Sequence, residues 1–491
     1  MPYLITQNCC ADAACVAACP VGCIHPAPGE PGFATSDMLY IDPKVCIDCG
    51  ACADACPVNA IVSDRALGPD SEPYVAINAD HYGSGETYSP VFSVGTAPEP
   101  TVTSRDPLRV AVVGSGAAGF YTAKELLHHP GVVVDMYERL DEPHGLVRYG
   151  VAPDHPETKR VTEQFVFSPS KAARLTLHSG VEVGVDVSVA ELRRRHQAVV
   201  LAHGAHGERF LNVDGEGLDG VIGAMSFANW YNGHPDENHD GPPMRSARAV
   251  VIGNGNVALD SARMLVAGRR TARGRLAARV ERALSTSRIS EVVVLGRRGP
   301  RDASFTLGEL LELAALDDVD LVVENATAAE LEPTESDDPA MRRMLEMLGA
   351  AARARPSSAR RVILRFHTSA TGFVGEGAVT GVRIGSGVID AELVIRAIGF
   401  VGTPLDGVDL DPATQTVGNR GGRVIDTAGE TVPGLYCVGW IKRGAQGVIG
   451  SNRACARETV TALIDDHRAG RLGKPTPPRR RFPRIRQVAL R

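Results

Sequence analysis

The amino-terminal end of the chain carries cysteines whose spacing is suited to holding iron. Of the 11 cysteines in 491 residues, nine lie before residue 57. Four of them form a run that ends in a proline: Cys46, Cys49, Cys52, Cys56 and Pro57. A run of this kind wraps three thiolates around one iron–sulfur cluster, while its fourth cysteine binds a second cluster. Zinc sites do not have this proline-ended spacing, so the run predicts two iron–sulfur clusters.

A similar cysteine run lies earlier in the chain and has Asp12 at a position where a further cysteine thiolate would lie. Because the last cysteine of each copy crosses to the other cluster, two ligand sets are predicted. The first cluster site has Cys9, Cys15 and Cys56. The second cluster site has Cys19, Cys46, Cys49 and Cys52, which predict a 4Fe–4S cluster. Three thiolates suit a 3Fe–4S cluster in the first site, whereas the carboxylate of Asp12 or the thiol of Cys10 would allow 4Fe–4S, so both types stay open.

A glycine-rich turn follows a strand-like segment that starts at Leu108. The turn contains Gly114, Gly116, Ala118 and Gly119. Its glycines permit a tight turn, close approach of a pyrophosphate and close packing of helix on strand. The next strand-like segment ends in Glu138, about 20 residues on, where an acid binds ribose hydroxyls. The complete strand–helix–strand unit predicts a site for FAD.

A second turn of the same kind carries a different signal. It contains Gly253, Gly255 and Ala258, and the strand-like segment after it ends in Arg297 and Arg298. An acid at this position would repel a 2′-phosphate, whereas guanidinium groups bind it with paired hydrogen bonds. The second turn therefore predicts an NADP site that prefers NADPH to NADH.

Four longer segments resemble one family of flavoproteins. They are residues 145–156 (GLVRYGVAPDHP), 253–260 (GNGNVALD), 296–300 (GRRGP) and 439–450 (GWIKRGAQGVIG). Residues 108–465 resemble adrenodoxin reductase and its bacterial ferredoxin–NADP reductase relatives, and residues 1–85 resemble seven-iron and eight-iron bacterial ferredoxins. The complete chain is similar to the ferredoxin-fused members of this family in actinobacteria.

The resemblance implies the elements that must position these motifs. An α+β ferredoxin head (1–85) and a linker (86–107) are expected to precede an α/β flavoprotein with two Rossmann-type domains. The FAD-binding domain would comprise residues 108–245 and 376–465, and the NADP-binding domain would be inserted as residues 246–375. Residues 466–491 would form a basic tail.

The resemblance also implies functional side chains. Those expected to line the flavin are Leu146, Val183, Trp440, Gly447, Val448 and Ile449. Those expected at NADP are Asn256, Val257, Arg297, Arg298 and Glu309. The catalytic positions would be His155, Asp260 and Glu312, near the flavin edge. Histidine there is suited to proton transfer near neutral pH.

Charge is distributed unevenly between the head and the rest of the chain. Residues 1–100 contain 12 acidic residues and only Lys44 and Arg65, a formal charge of −10, whereas the whole chain carries −6. The remaining residues therefore sum to +4. This difference predicts electrostatic docking of the head on the body.

The motifs together predict the cellular location, the partners and the function of the protein. The sequence has no run of about 18 apolar residues, and residues 1–8 lack the basic and apolar regions of a signal peptide. We expect a cytoplasmic monomer without membrane or nucleic-acid partners. The predicted function is a ferredoxin–NADP+ oxidoreductase that moves electrons between NADPH, FAD and the clusters of its own or an external ferredoxin. The alternative is an electron-delivery subunit of a larger, glutamate-synthase-like NADPH-dependent complex.

Overall fold

The amino-terminal head is a small α+β unit built from two similar halves. The computed structural model describes residues 3–69, 71–83, 102, 107–237 and 240–475. The elements of the head are β1 (Tyr3–Ile5), α1 (Ala14–Ala18), β2 (Ile24–His25), β3 (Tyr40–Ile41), α2 (Ala51–Ala55), β4 (Ile61–Ser63) and α3 (Pro73–His81). Strand β1 pairs with β4 and β2 with β3, both antiparallel. Each half thus has a cysteine-bearing helix followed by a short strand, as the internal repeat predicts.

Helix α3 closes the head. Its residues Tyr74 and Ile77 are buried in the head core. The side-chain oxygen of Asn78 accepts hydrogen bonds from the backbone N–H groups of Ile5 and Ile41, at 3.1 and 2.9 Å, and its amide donates to the carbonyl of Ile5 at 2.8 Å. One buried side chain therefore joins α3 to both small sheets.

The remaining elements follow in chain order. From residue 107 to 237 they are β5 (Leu108–Val113), α4 (Ala117–Leu126), β6 (Val132–Glu138), α5 (Gly145–Tyr149), α6 (Pro156–Lys159), α7 (Pro169–Ala172), β7 (Leu175–Ser179), α8 (Val189–Arg195), β8 (Ala198–Leu201), β9 (Gly207–Glu208), β10 (Val221–Gly223) and α9 (Ala224–Tyr231). From residue 240 to 401 they are β11 (Arg248–Ile252), α10 (Asn256–Thr271), α11 (Ala278–Thr286), β12 (Glu291–Leu295), α12 (Leu307–Ala314), β13 (Val319–Glu324), α13 (Pro339–Arg353), β14 (Arg360–Arg365), β15 (Ala370–Val374), β16 (Gly381–Ile384), β17 (Gly387–Asp390), β18 (Leu393–Arg396) and β19 (Phe400–Val401). The last elements are β20 (Asn419–Arg420), β21 (Arg423–Ile425), β22 (Thr431–Cys437), α14 (Trp440–Arg443) and α15 (Ser451–Arg468).

A seven-stranded sheet carries the first glycine turn. Its strand order is β20–β21–β22–β8–β5–β6–β7, and the pairs from β22 to β7 are parallel. The central strands are almost continuously apolar because helices cover both faces of such a sheet. The first unit is therefore the Rossmann-type fold predicted for FAD.

A six-stranded parallel sheet carries the second turn, in the order β10–β18–β11–β12–β14–β13. This sheet corrects the boundaries predicted for the insertion, residues 246–375, since β10 precedes them and β18 follows them. Both strands belong here because β18 pairs with β11 on one side and with β10 on the other. Where the chain passes between the two large sheets, β9 and β19 pair antiparallel. The predicted architecture of two nested dinucleotide-binding units is confirmed.

The segments that join and end these units are only partly described. Of the predicted linker (86–107), Val102 and Pro107 lie within the described residues, and Val102 is buried in the core of the first unit. The predicted start of the tail at residue 466 is corrected, because α15 continues to Arg468 and Asp466 accepts hydrogen bonds from Arg423 and Tyr436. Residues 476–491 lie outside the described part. Within that part, every helix is too short or too polar to cross a lipid bilayer.

Candidate cofactor sites and their junction

The first glycine turn forms an open cradle at the start of α4. A Cβ at Gly119 would collide with the carbonyl oxygen of Gly114, whereas a Cβ at Gly116 would meet no atom within 4 Å. The carboxylate of Glu138 accepts hydrogen bonds from the N–H and hydroxyl of Ser115, at 3.0 and 2.6 Å, and from the N–H of Leu140 at 2.9 Å. The turn thus leaves room for a pyrophosphate beside a buried, oriented acid, and these residues fit FAD.

The second glycine turn opens α10 in the same way but has cations beside it. Around Gly255, the nearest atom to an added Cβ would be Cβ of Ser304, at 3.8 Å. The side-chain oxygen of Asn256 accepts from the N–H of Thr306 at 2.7 Å and so ties the turn to the start of α12. Arg297 and Arg298 follow β12 and are both exposed. Arg298 pairs with the exposed Asp302 at 3.1 Å. An open cradle with two exposed guanidinium groups fits NADP.

A buried arginine gathers four carboxylates between the two units. The side chain of Arg263 on α10 is 2% exposed and donates to Asp154, Asp260, Glu309 and Glu312. The N···O distances run from 2.5 Å for Asp260 to 3.0 Å for Glu309. Asp154 comes from the first unit, and the other carboxylates come from α10 and α12. The cluster therefore fixes the first unit against the second.

His155 lies in the same cluster. Its Nε2 is 3.5 Å from Asp260 and 3.3 Å from Glu312, and it also contacts Arg263. Burial opposes protonation, but the hydrogen bond to Asp260 and the surrounding carboxylates raise the pKa of His155 to about 9. Burial and repulsion from Asp260 raise the pKa of Glu309 above its usual range. The four carboxylates outnumber the two cations, so this cluster can hold an exchangeable proton.

The structure brings the predicted catalytic residues together and places one predicted NADP residue beside them. His155, Asp260 and Glu312 share the cluster, and Glu309, expected at NADP, also contacts Arg263 there. Arg263 itself went unpredicted. Its position three residues after Asp260 on a helix, which places both side chains on one face, is the signal that points to it.

The first cluster site is a buried cavity. The residues that line it include Cys9, Cys10, Asp12, Cys15 and Cys56. Backbone N–H groups donate to the sulfurs of Cys9 and Cys56, at 3.4 and 3.3 Å, as in the hydrogen bonds that tune iron–sulfur clusters. Asp12 is 5% exposed, and its Oδ2 has no hydrogen-bond partner among the described residues. Thiols and a buried carboxylate oxygen without a hydrogen-bond partner among the described residues fit a cationic iron cluster.

The second cluster site lies beside the first but reaches the surface. Burial, with repulsion from Cys46 and smaller contributions from Cys19 and Cys49, raises the pKa of the Cys52 thiol to about 12. These four thiols are therefore close neighbours, and Cys49 is exposed. Cys23 also belongs here, with its sulfur 3.4 Å from that of Cys19. The grouping fits a second iron–sulfur cluster.

The head packs on the segment predicted to line the flavin. The N–H of Gly450 donates to the carbonyl of Cys10 at 2.7 Å, and Val448 and Ile449 pack against the apolar core of the head. Arg453 on α15 donates to the carbonyl of Asp12 at 2.8 Å. The loop of the first cluster site therefore rests directly on residues 447–450.

Two ion pairs and one amide–carboxylate hydrogen bond complete this junction. Arg453 lies 3.7 Å from the carboxylate of Asp12, and Arg343 on α13 lies 2.6 Å from Asp80. The amide of Asn59 donates to Glu157 at 3.0 Å. The acidic head faces arginines of both units, as the uneven charge predicts.

The other side chains expected at the flavin lie in varied surroundings. Leu146 on α5 follows Gly145, where an added Cβ would lie 3.3 Å from the Cα of Gly116 in the first turn. Trp440 stacks on Phe400, with ring centroids 6.1 Å apart. Val183 is buried in an apolar cluster of the seven-stranded sheet, and Val257 packs against the core of the second unit.

Known proteins share both parts of this arrangement. Residues 39–62 match the 4Fe-4S binding domain family, and residues 108–295 match the pyridine nucleotide-disulphide oxidoreductase family. A probable ferredoxin/ferredoxin–NADP reductase of Mycobacterium tuberculosis is 44% identical over 492 residues, which cover 97% of this chain and 85% of the relative. The chain belongs to the family of ferredoxin–NADP reductases with a fused ferredoxin.

Two further relatives of this reductase family match about three quarters of this chain. The NADPH-ferredoxin reductase FprA of Mycobacterium tuberculosis is 40% identical over 390 residues, or 73% of this chain and 84% of the relative. Its structure in complex with NADPH has a TM-score of 0.68 and 37% identity, and the match covers 75% of this chain and 87% of that chain. The mitochondrial NADPH:adrenodoxin oxidoreductase of Arabidopsis thaliana is 37% identical over 408 residues, 75% of this chain and 84% of the relative. The predicted family, fold, oxidoreductase class and iron–sulfur head are thereby confirmed.

Proposed function

We propose that this reductase takes a hydride from NADPH at its second unit and delivers single electrons through clusters in its own head. The observation that carries the proposal is the hydrogen bond from the N–H of Gly450 to the carbonyl of Cys10. It joins residues 447–449, expected at the flavin, to the loop that lines the first cluster site. When bound, FAD exchanges hydride with nicotinamide and single electrons with clusters, which connects two-electron to one-electron chemistry.

Residues of both glycine turns would hold the two nucleotides. Gly114, Gly116 and Gly119 with Glu138 would bind FAD, and Gly253 and Gly255 with the arginine pair would bind NADPH. Since Arg297 and Arg298 are exposed, they are available to a 2′-phosphate that arrives from solvent. Their charge supports a preference for NADPH over NADH.

The cluster around Arg263 would position the nicotinamide unit and manage a proton. Asp154 and Asp260 link the two units through Arg263, so the distance between the two cradles is fixed by buried ion pairs. Positioning of this kind supplies much of the rate of a transfer between two bound reactants. His155, with its pKa raised to about 9, would keep a proton at Nε2 near neutral pH and could exchange it with Glu312.

The two cluster sites would differ in type. Cys19, Cys46, Cys49 and Cys52 would hold a 4Fe–4S cluster. Cys9, Cys15 and Cys56 would hold a 3Fe–4S cluster, or a 4Fe–4S cluster if Asp12 supplies the fourth ligand. Low-temperature EPR together with iron and acid-labile sulfide counts distinguishes seven from eight iron atoms per chain.

The decisive experiment compares two nucleotides and two acceptors. The purified holoenzyme is expected to reduce ferricyanide and cytochrome c with NADPH, and much more slowly with NADH. Equal rates with NADH would contradict the role of the arginine pair. If the chain instead served as the electron-delivery subunit of a larger complex, the native protein would copurify with a catalytic partner; a monomer with full activity contradicts that alternative.

A further inference from the structure

The two cluster sites differ in what surrounds them. The first is buried and its loop, residues 9–12, contacts Gly450 and Arg453 of the body. The second includes Cys49, which is exposed to solvent. Cys15 of the first site and Cys52 of the second are both buried in the same apolar core of the head, so the two sites are near neighbours. Because one cluster site is buried against the body and the other is exposed, their positions define a direction for electron transfer through the head.

The surface around Cys49 has an uncovered apolar centre. Ile47 is 58% exposed and Val45 is 42% exposed, and both lie in the loop that also carries Cys46 and Cys49. Val45 and Ile47 are the only large apolar side chains of the head that are exposed to this degree within its described residues. We call the surface formed by Val45, Ile47 and Cys49 the exit surface.

Acidic side chains flank the exit surface. Residues 42–54 contain Asp42, Asp48 and Asp54 against Lys44 alone, a formal charge of −2. Asp12 and Asp80, in contrast, face arginines of the body. Asp48 has the exposed Arg65 as its ion-pair partner, at 2.7 Å. The head thus uses one set of acids to hold the body and leaves another around the exposed thiol.

We propose that the first cluster site receives electrons from the flavin and that the exit surface docks a one-electron carrier protein with basic side chains around an apolar contact. The proposal rests on the proposed function and adds the order of the sites and the kind of partner. An apolar centre supplies contact area, and opposite charge at the rim raises the rate of encounter. A small inorganic acceptor needs neither feature.

The electron balance fits such a partner. One hydride from NADPH carries two electrons, and NADP+ leaves. The two electrons reach two successive carrier molecules at the exit surface, each reduced by one electron, and one proton is released to solvent. The acceptor is thus an oxidised one-electron protein, supplied in two equivalents per NADPH.

The test places a charge at the centre of the exit surface and compares it with the same change elsewhere. Ile47→Lys repels a basic carrier, and Val388→Lys, at a 53% exposed position on β17 of the body, is the matched control. The probe is cytochrome c, a basic one-electron protein. We expect Ile47→Lys to raise the KM for cytochrome c about fivefold at low salt, with the difference lost at high salt. Val388→Lys should leave that KM unchanged.

Two further measurements separate this proposal from the proposed function. Carbodiimide cross-linking of cytochrome c to the wild-type holoenzyme, mapped by mass spectrometry, is expected at Asp48 or Asp54. EPR of Ile47→Lys after addition of NADPH is expected to show reduced clusters as in the wild type. If cross-links map to the body and the KM for cytochrome c is unchanged in Ile47→Lys, the exit surface is wrong. If NADPH reduces neither flavin nor clusters in the wild type, the proposed function itself is wrong.

Discussion

The two glycine turns offer a dinucleotide the same backbone but opposite charges. In the first unit, Glu138 is buried and its carboxylate is fixed by Ser115 and Leu140. In the second unit, Arg297 and Arg298 stand exposed at the end of the corresponding strand. A buried, oriented acid suits a cofactor that stays bound, whereas exposed cations suit a nucleotide that enters and leaves. We propose that the charged residues at the end of the second strand of each unit determine which dinucleotide binds there and whether it exchanges.

The largest effect is expected from a substitution at the third glycine position of the turn, where the two units have different residues. The first unit has Gly119, where a Cβ would collide with the carbonyl of Gly114, and the second has the fully buried Ala258. Gly119→Ala should therefore lose most of its flavin, since relief of such overpacking costs about 1–3 kcal/mol. Flavin absorbance per purified chain measures this. The reciprocal Ala258→Gly is the control and should keep its flavin; full flavin in Gly119→Ala would show that the turn can widen.

Removal of the arginine pair tests whether exposed cations in the second unit bind the 2′-phosphate of NADPH. In Arg297→Ala/Arg298→Ala, the KM for NADPH should rise between tenfold and a hundredfold, because charge-assisted hydrogen bonds from two solvent-exposed guanidinium groups together contribute about 1.4–2.7 kcal/mol. The KM for NADH should change little. Steady-state ferricyanide reduction measures both constants. Arg383→Ala, at an exposed position of β16, is the control, and an unchanged KM for NADPH in the double variant would contradict the site.

The cluster that joins the two units should respond to pH. The pKa of His155, about 9 in the folded chain, exceeds its usual value of about 6.5. Its stabilising contribution is therefore fully present below about pH 6.5 and is lost as the pH rises through about 9. His155→Gln should be less stable than the wild type by about 2 kcal/mol at pH 6, with the difference fading at pH 10.

Chemical denaturation of the holoenzyme across this pH range measures the effect. His128→Gln, at a half-buried position outside the cluster, is the control and should show no such trend. A constant difference for His155→Gln at every pH would mean that the histidine is neutral in the folded chain.

The smallest effect is expected from a neutral isostere of the acid. Glu138→Gln keeps the shape of the side chain but loses charge-assisted bonds to Ser115 and Leu140, at a cost of about 1–2 kcal/mol. FAD affinity should fall by about tenfold. Titration of the deflavinated protein with FAD, followed by flavin fluorescence, reports the change. An unaltered affinity would indicate that the backbone cradle at Gly116 alone holds the cofactor.

Local spacing determined much of this protein from the sequence alone. The cysteine runs, the two glycine turns, Glu138 and the arginine pair each lie within one strand–turn–helix segment or one loop. Short-range geometry restricts what such a segment can bind, so the cluster sites and the two dinucleotide units followed from spacing, whereas the family and the complete fold class came from the resemblance. The catalytic group of His155, Asp260 and Glu312 came from the family resemblance, and the structure brings these residues together.

Only the tertiary structure decided the contacts between segments far apart in the chain. Arg263 contacts Asp154, 109 residues away, and brings Glu309 into the same cluster. Strands β10 and β18 join the six-stranded sheet because β18 pairs with β11 on one side and with β10 on the other. Gly450 contacts Cys10 only when the head packs against the body. These pairings depend on how whole elements pack, and the local pattern of either partner carries no record of the other.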